Sequence, residues 1–195
     1  MIDSLRQLDH DFFFLVNGNH NSFFDFIFWW ASDRFIWIPL YLFLLYKIVR
    51  DMKNLTLTIS FFVTIALIIL TSDQLSVLLF KNIFHRYRPC HNAAMAAAVH
   101  LLGDCGGKFG FVSSHAANVS ALSVFLILSF GKKMSWMKWV MIPWAVLVCY
   151  SRVYSGAHFP GDVFFGAALG AAIAALYSFL FLFISKNYGQ GNNPN

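Results

Sequence analysis

Between Val163 and Ile184 the chain carries no charged side chain, and between Leu55 and Phe80 it carries only Asp73. Runs of this length match the ~20 apolar residues that cross the hydrocarbon core of a bilayer. A soluble helix as long would show a polar face at a period of ~3.6 residues, and several of these runs show none. Composition agrees: 58% of residues are hydrophobic and 12% charged, with a mean hydropathy of +0.62, which excludes an ordinary soluble domain.

The chain then reads as an all-α, polytopic membrane helical bundle. Five spans are expected, at about Phe35–Val49, Leu55–Phe80, Ala116–Phe130, Trp136–Tyr150 and Val163–Ile184. The last is rich in Gly and Ala, from Gly166 to Ala172, and small residues let helix backbones approach closely in lipid, which puts it at the bundle centre. Residues 1–30 lack the pattern of a cleavable signal peptide. Their apolar pieces Leu8–Val16 and Phe23–Trp30 are split by Gly18-Asn19-His20-Asn21, so they read as interfacial helices, the alternative being a sixth, broken span. Residues 31–186 form the membrane domain and 187–195 a polar, disordered tail.

Basic residues set the orientation. Lys47, Arg50, Lys53, Lys132, Lys133, Lys138 and Lys186 fall on one side; Arg34, Lys81, Arg86, Arg88, Lys108 and Arg152 fall on the other. Lys81, Arg88 and Arg152 belong to chemical clusters, and setting them aside leaves seven against three, so the first side is cytoplasmic. The net charge of +5 follows from topology and anion binding, with no nucleic-acid partner needed. Cys90 and Cys105 share a loop on the far side, where they form either a disulfide or two free thiols, and Cys149 lies within a span.

Three clusters on that far face carry chemistry. Lys81 and Arg88, ahead of Pro89, can converge on one anion, a point charge beside a planar fork; the plainer reading is a membrane-edge basic cluster. Ser113, Ser114 and His115 open a span, as N-caps or as an anion site with a proton donor. The third runs from Ser151 to Asp162. Gly156, Pro160 and Gly161 place His158 on a turn, and Asp162, four residues on in the first helical positions, can fix the imidazole tautomer. A neutral imidazole beside Arg152 suggests a nucleophile facing an anion.

Read together, lysine, six residues, Arg-Pro; then Ser-x-His; then Ser-Arg, five residues, His, three residues, Asp resemble the signature of the type 2 phosphatidic acid phosphatase superfamily, which includes vanadium haloperoxidases. The resemblance implies that His158 attacks phosphorus and forms a phosphohistidine, that Asp162 orients it, and that His115 protonates the leaving oxygen. Lys81, Arg88, Arg152, Ser113 and Ser114 would bind the phosphoryl group. No metal or other cofactor is implied, since the three cations supply the charge stabilisation. The middle motif departs from the family's Pro-Ser-Gly-His, with Val112 for proline and Ser114 for glycine.

The compact layout is similar to small bacterial members acting on undecaprenyl pyrophosphate or lipid A. Phosphatidylglycerophosphate is a further candidate, and an anionic-lipid transporter the alternative of another class. The expected setting is the cell (inner) membrane, with the bilayer and a phosphorylated lipid as partners and the site facing the periplasm. A lid is expected from Cys90 to Gly110, with a short interfacial helix over Ala93–Leu102. Arg86, His85, His91, His100 and Lys108 read as solvated edge residues, or as contacts to a second phosphate or a sugar.

Overall fold

In the computed structural model residues 2–52 and 54–188 are described, and they are helical or irregular, with one isolated bridge between Tyr87 and Phe109. Lys53, one of the residues used to orient the chain, and residues 189–195 of the expected polar tail lie outside the described residues. The helices are α1 (Ile2–Asn17), α2 (Ser22–Ser32), α3 (Ile38–Asp51), α4 (Leu55–Phe84), α5 (Ser114–Phe130), α6 (Met137–Tyr154) and α7 (Pro160–Tyr188). Their starts follow local chemistry. Asn21 accepts the N–H groups of Phe23 and Phe24, Asn54 that of Thr56, and Ser113 that of Ala116, so each satisfies donors a helix leaves open.

α4 and α7 are long and apolar enough to cross a bilayer, with mean hydropathies of 2.2 and 2.3, and α5 is a shorter apolar helix. Their outer surfaces keep the apolar character: Leu70, Leu78, Phe164, Phe179 and Phe183 are exposed where a soluble protein would present polar groups.

α5 is the buried axis. Ala116, Ala117, Ala121 and Phe125 have no solvent exposure, and α7 lies directly against them. A Cβ on Gly166 would stand 2.5 Å from the Ser113 carbonyl oxygen, and one on Gly170 would overlap the carbonyl oxygen of Ala117. Backbone therefore meets backbone, which the Gly/Ala run of the last span permits. The Ser113 N–H donates to the Asp162 carbonyl at 2.9 Å, so the same contact fixes the second cluster beside the third.

A second core of Phe13, Met95, Ala116, Val153, Phe159 and Val163 seats α1 on the turn between α6 and α7. Asn17, fully buried at the end of α1, donates to the carbonyls of His100 and Tyr154 at 2.7 and 2.8 Å and accepts the His100 N–H. Those bonds correct the expected helix over Ala93–Leu102. Only Ala96–Ala98 forms a 3₁₀ turn, because His100 is bound to Asn17 and the Leu102 N–H to Ser155, which draws the segment out across the bundle end. Cys90 and Cys105 are joined in a disulfide within that loop, and Cys149 is a free thiol.

Replacing Gly170 by Leu should destabilise the α5–α7 contact by at least the ~1–3 kcal/mol typical of overpacking, read as a lower unfolding temperature in detergent. An unchanged value would mean that the two backbones do not touch there.

Candidate active site

The three clusters meet at one end of the bundle. α4 changes to π geometry over Ser76–Lys81, which re-aims its last turn, a device often found at functional sites. Lys81 Nζ donates to Ser114 Oγ at 2.7 Å, and Ser76 Oγ lies 2.5 Å from the same oxygen. The hydroxyl that stands where the resembling motif carries glycine is thus the anchor of the lysine.

Arg88, 8% exposed, places Nη1 3.0 Å from His158 Nε2 and donates to the Ala157 carbonyl. A guanidinium only donates, so Nε2 is the acceptor and the ring proton belongs on Nδ1. Nδ1 faces Asp162 Oδ2 at 3.5 Å, beyond hydrogen-bond length. The carboxylate is itself well held, Oδ2 by the Phe159 N–H at 3.1 Å and Oδ1 by Arg86 Nη1 at 2.8 Å.

Arg152 lies in the last turn of α6, which runs on through Ser151–Tyr154, four residues past the expected end of that span. Its carbonyl accepts the His158 N–H at 3.1 Å. His115, the second residue of α5, is exposed, and the charges of Arg152, Arg88 and Lys81, together with His158, act on it. All eight residues expected from the sequence are therefore brought to one neighbourhood.

The buried nitrogens Arg88 Nε and Arg152 Nε have no hydrogen-bond partner among the described residues. Buried donors are almost always satisfied, and two such guanidinium N–H groups offer their protons to an anion. Burial, followed by the positive charges of Arg88, Arg152 and Lys81, holds the His158 imidazole well below its ordinary value. The ring is therefore neutral, with its Nε2 lone pair turned toward the cations. Such a site can bind a tetrahedral oxyanion and attack its central atom.

The roles of three residues escaped the sequence reading. Gly110 is required because a Cβ there would stand 2.9 Å from Asp162 Oδ2 and 3.0 Å from Arg88 Cγ. Arg86, expected as an edge residue, bridges Asp162 and Asp9, and no local pattern names Asp9 as its partner. Beside them opens a cleft of about 910 Å³ whose lining includes Leu5, Leu8, Phe12, Phe84 and Phe165.

Because the folded state keeps His158 neutral, protonation favours the unfolded chain as pH falls. The stability linked to this group is intact above the unfolded value of about 6.5 and is lost progressively below it. Between pH 6.5 and 5 the unfolding temperature of the wild type should fall more steeply than that of His158→Gln; equal slopes would mean that the imidazole is not held neutral.

Residues 57–185 match the model of the PAP2 superfamily. The chain is 33% identical to the lipid A 4′-phosphatase of Bacteroides thetaiotaomicron over 92% of its length and 80% of that protein's. It is 36% identical to the undecaprenyl-diphosphatase of Sulfolobus acidocaldarius over 73% of its length and 62% of that protein's. Its fold superposes on the crystal structure of the PAP2-type phosphatidylglycerolphosphate phosphatase from Bacillus subtilis with a TM-score of 0.69, at 21% identity over 97% of this chain and 90% of that one. Motifs, fold and relatives agree, and the chain belongs to the PAP2 superfamily.

Proposed function

We propose that the protein removes a phosphate monoester from a lipid A-type glycolipid through a phosphohistidine, without a metal ion. The reading is carried by two guanidinium groups, of Arg88 and Arg152, whose buried Nε atoms lack a partner among the described residues beside a neutral His158. An incoming phosphoryl group would take over Arg88 Nη1 from His158 Nε2 and satisfy both orphans. Lys81, held by Ser114, would bind the same group, with the backbone N–H groups at the Ser113 end of α5. His158 Nε2 then attacks phosphorus as the bond to the sugar oxygen breaks, and His115 gives that oxygen its proton. Water next attacks the phosphohistidine, losing a proton to His115, and inorganic phosphate leaves. Asp162 sits beside Nδ1 to stabilise the charge that develops on the ring. The cations together supply the transition-state stabilisation a metal would otherwise give.

A lipid A-type substrate is favoured by the extent of the likeness to the Bacteroides enzyme. The cleft that Arg86 lines, with Leu5, Leu8, Phe12, Phe84 and Phe165 along it, suits an acyl chain. In this reading α3 to α7 are five spans, α1 and α2 lie in the interface, and the site faces the periplasm of the inner membrane by the distribution of basic residues.

Two measurements test the proposal. Purified protein in detergent should release inorganic phosphate from lipid A faster than from undecaprenyl diphosphate or phosphatidylglycerophosphate; a reversed order would reassign the substrate. His158→Ala should lower turnover by ~10³-fold or more and abolish an acid-labile phosphoenzyme, whereas retained turnover would remove the histidine from the mechanism. Separately, Ser114→Ala removes the acceptor of a charged hydrogen bond worth about 1.5 kcal/mol. It should raise the inhibition constant of inorganic phosphate about tenfold, and an unchanged constant would deny Lys81 its part in binding.

A further inference from the structure

Arg86 is the centre of a clamp that the family motifs do not contain. The family match begins at residue 57, so Asp9 lies outside it, and Arg86 falls among the residues between Lys81 and Arg88 that the signature leaves open. Arg86 Nη1 donates to Asp162 Oδ1 at 2.8 Å and Nη2 to Asp9 Oδ2 at 2.5 Å. The other oxygen of Asp9 accepts the N–H of Gly161 at 2.7 Å, in the first turn of α7. The guanidinium carbon stands 4.3 Å from the centre of the Phe159 ring, and His10 of α1 stacks on that ring at 4.9 Å. The Arg86 carbonyl accepts the N–H of Gly110, the glycine packed against Asp162.

An exposed ion pair would count for little. This one is different in kind, because Asp162 is fully buried and the Arg86 and Asp9 side chains are 26% and 15% exposed. Both arms of the guanidinium are committed, which fixes its plane. With Oδ1 taken by Arg86, Asp162 can turn only Oδ2 toward His158 Nδ1. Asp9 holds Arg86 in place and, through Gly161, holds the turn on which Asp162 stands.

We propose that Arg86 and Asp9 are positioning residues for the reaction, fixing the Asp162 carboxylate against His158 and making helix α1 part of the catalytic apparatus. The proposal rests on the phosphohistidine mechanism above. Misplacing a reacting group by about 1 Å can cost ~10²-fold in rate. Arg86→Gln and the near-isosteric Asp9→Asn should therefore lower kcat by roughly ten- to a hundredfold, with KM within about twofold. Because the two act as one unit, the double variant should be no slower than Arg86→Gln alone. Asp9→Glu, which keeps the carboxylate, should recover most of the rate.

Unfolding temperatures measured on each variant separate a lost fold from a lost alignment. The clamp is overturned if Asp9→Asn keeps kcat within about twofold of wild type, or if the single losses multiply in the double variant. A second readout needs no turnover. In ¹⁵N-histidine NMR spectra, assigned by comparison with His158→Ala, the Nδ1-protonated tautomer of His158 should be uniform in wild type and mixed in Asp9→Asn. Identical spectra would also overturn the clamp. A wild type that hydrolyses no lipid phosphate sinks the phosphatase reading instead, and the spectra still decide whether Asp9 governs the imidazole.

Discussion

The charges of Arg88, Arg152 and Lys81 all bear on the buried His158 imidazole, and Arg88 repels both Lys81 and Arg152. Such an arrangement persists only where the surrounding structure holds it. The bundle does so with links that are individually ordinary. Lys81 is tied to Ser114, Arg88 to the Ala157 carbonyl, and Arg152 is fixed by the last turn of α6. The unsatisfied Nε atoms of both arginines are the remaining cost, and in the proposed mechanism they are what the phosphoryl group relieves.

The frame for that assembly is the contact between α5 and α7. Gly166 and Gly170 let the two backbones touch, and the Ser113 N–H reaches the Asp162 carbonyl as a result. The start of one helix is thereby registered against the start of the other, with His115 and His158 on the same end of the bundle. α1 completes the frame from outside the matched family region, packing Phe13 on Phe159 and binding Gly161 through Asp9.

Much of this was legible in the residues. The uncharged run from Val163 to Ile184 announced a membrane helix, and its Gly/Ala content announced close packing. The spacing of Lys81 from Arg88 and of His158 from Asp162 pointed to side chains that share one end of the bundle, because a turn and the first helical turn after it fix where His158 and Asp162 sit. The Ala93–Leu102 segment was misread for a physical reason: its alanines favour a helix locally, but Asn17 and Ser155, distant in sequence, take its backbone groups. Arg86 looked like one more edge cation because its two carboxylates come from opposite ends of the chain. Ser114, which stands where the family motif has glycine, was expected to contact the phosphoryl group, whereas its hydroxyl accepts from Lys81.

The amino-acid sequence determined the apolar helices, the turn that carries His158 and the list of charged residues that had to be accounted for, since these depend on hydropathy and on local backbone preference. Tertiary structure alone decided which of those charges meet. It left the two Nε atoms without partners, set Ser114 under Lys81, and recruited Asp9 to Arg86 across the bundle. Contacts between residues far apart in the chain depend on how helices pack, and no short-range pattern encodes that.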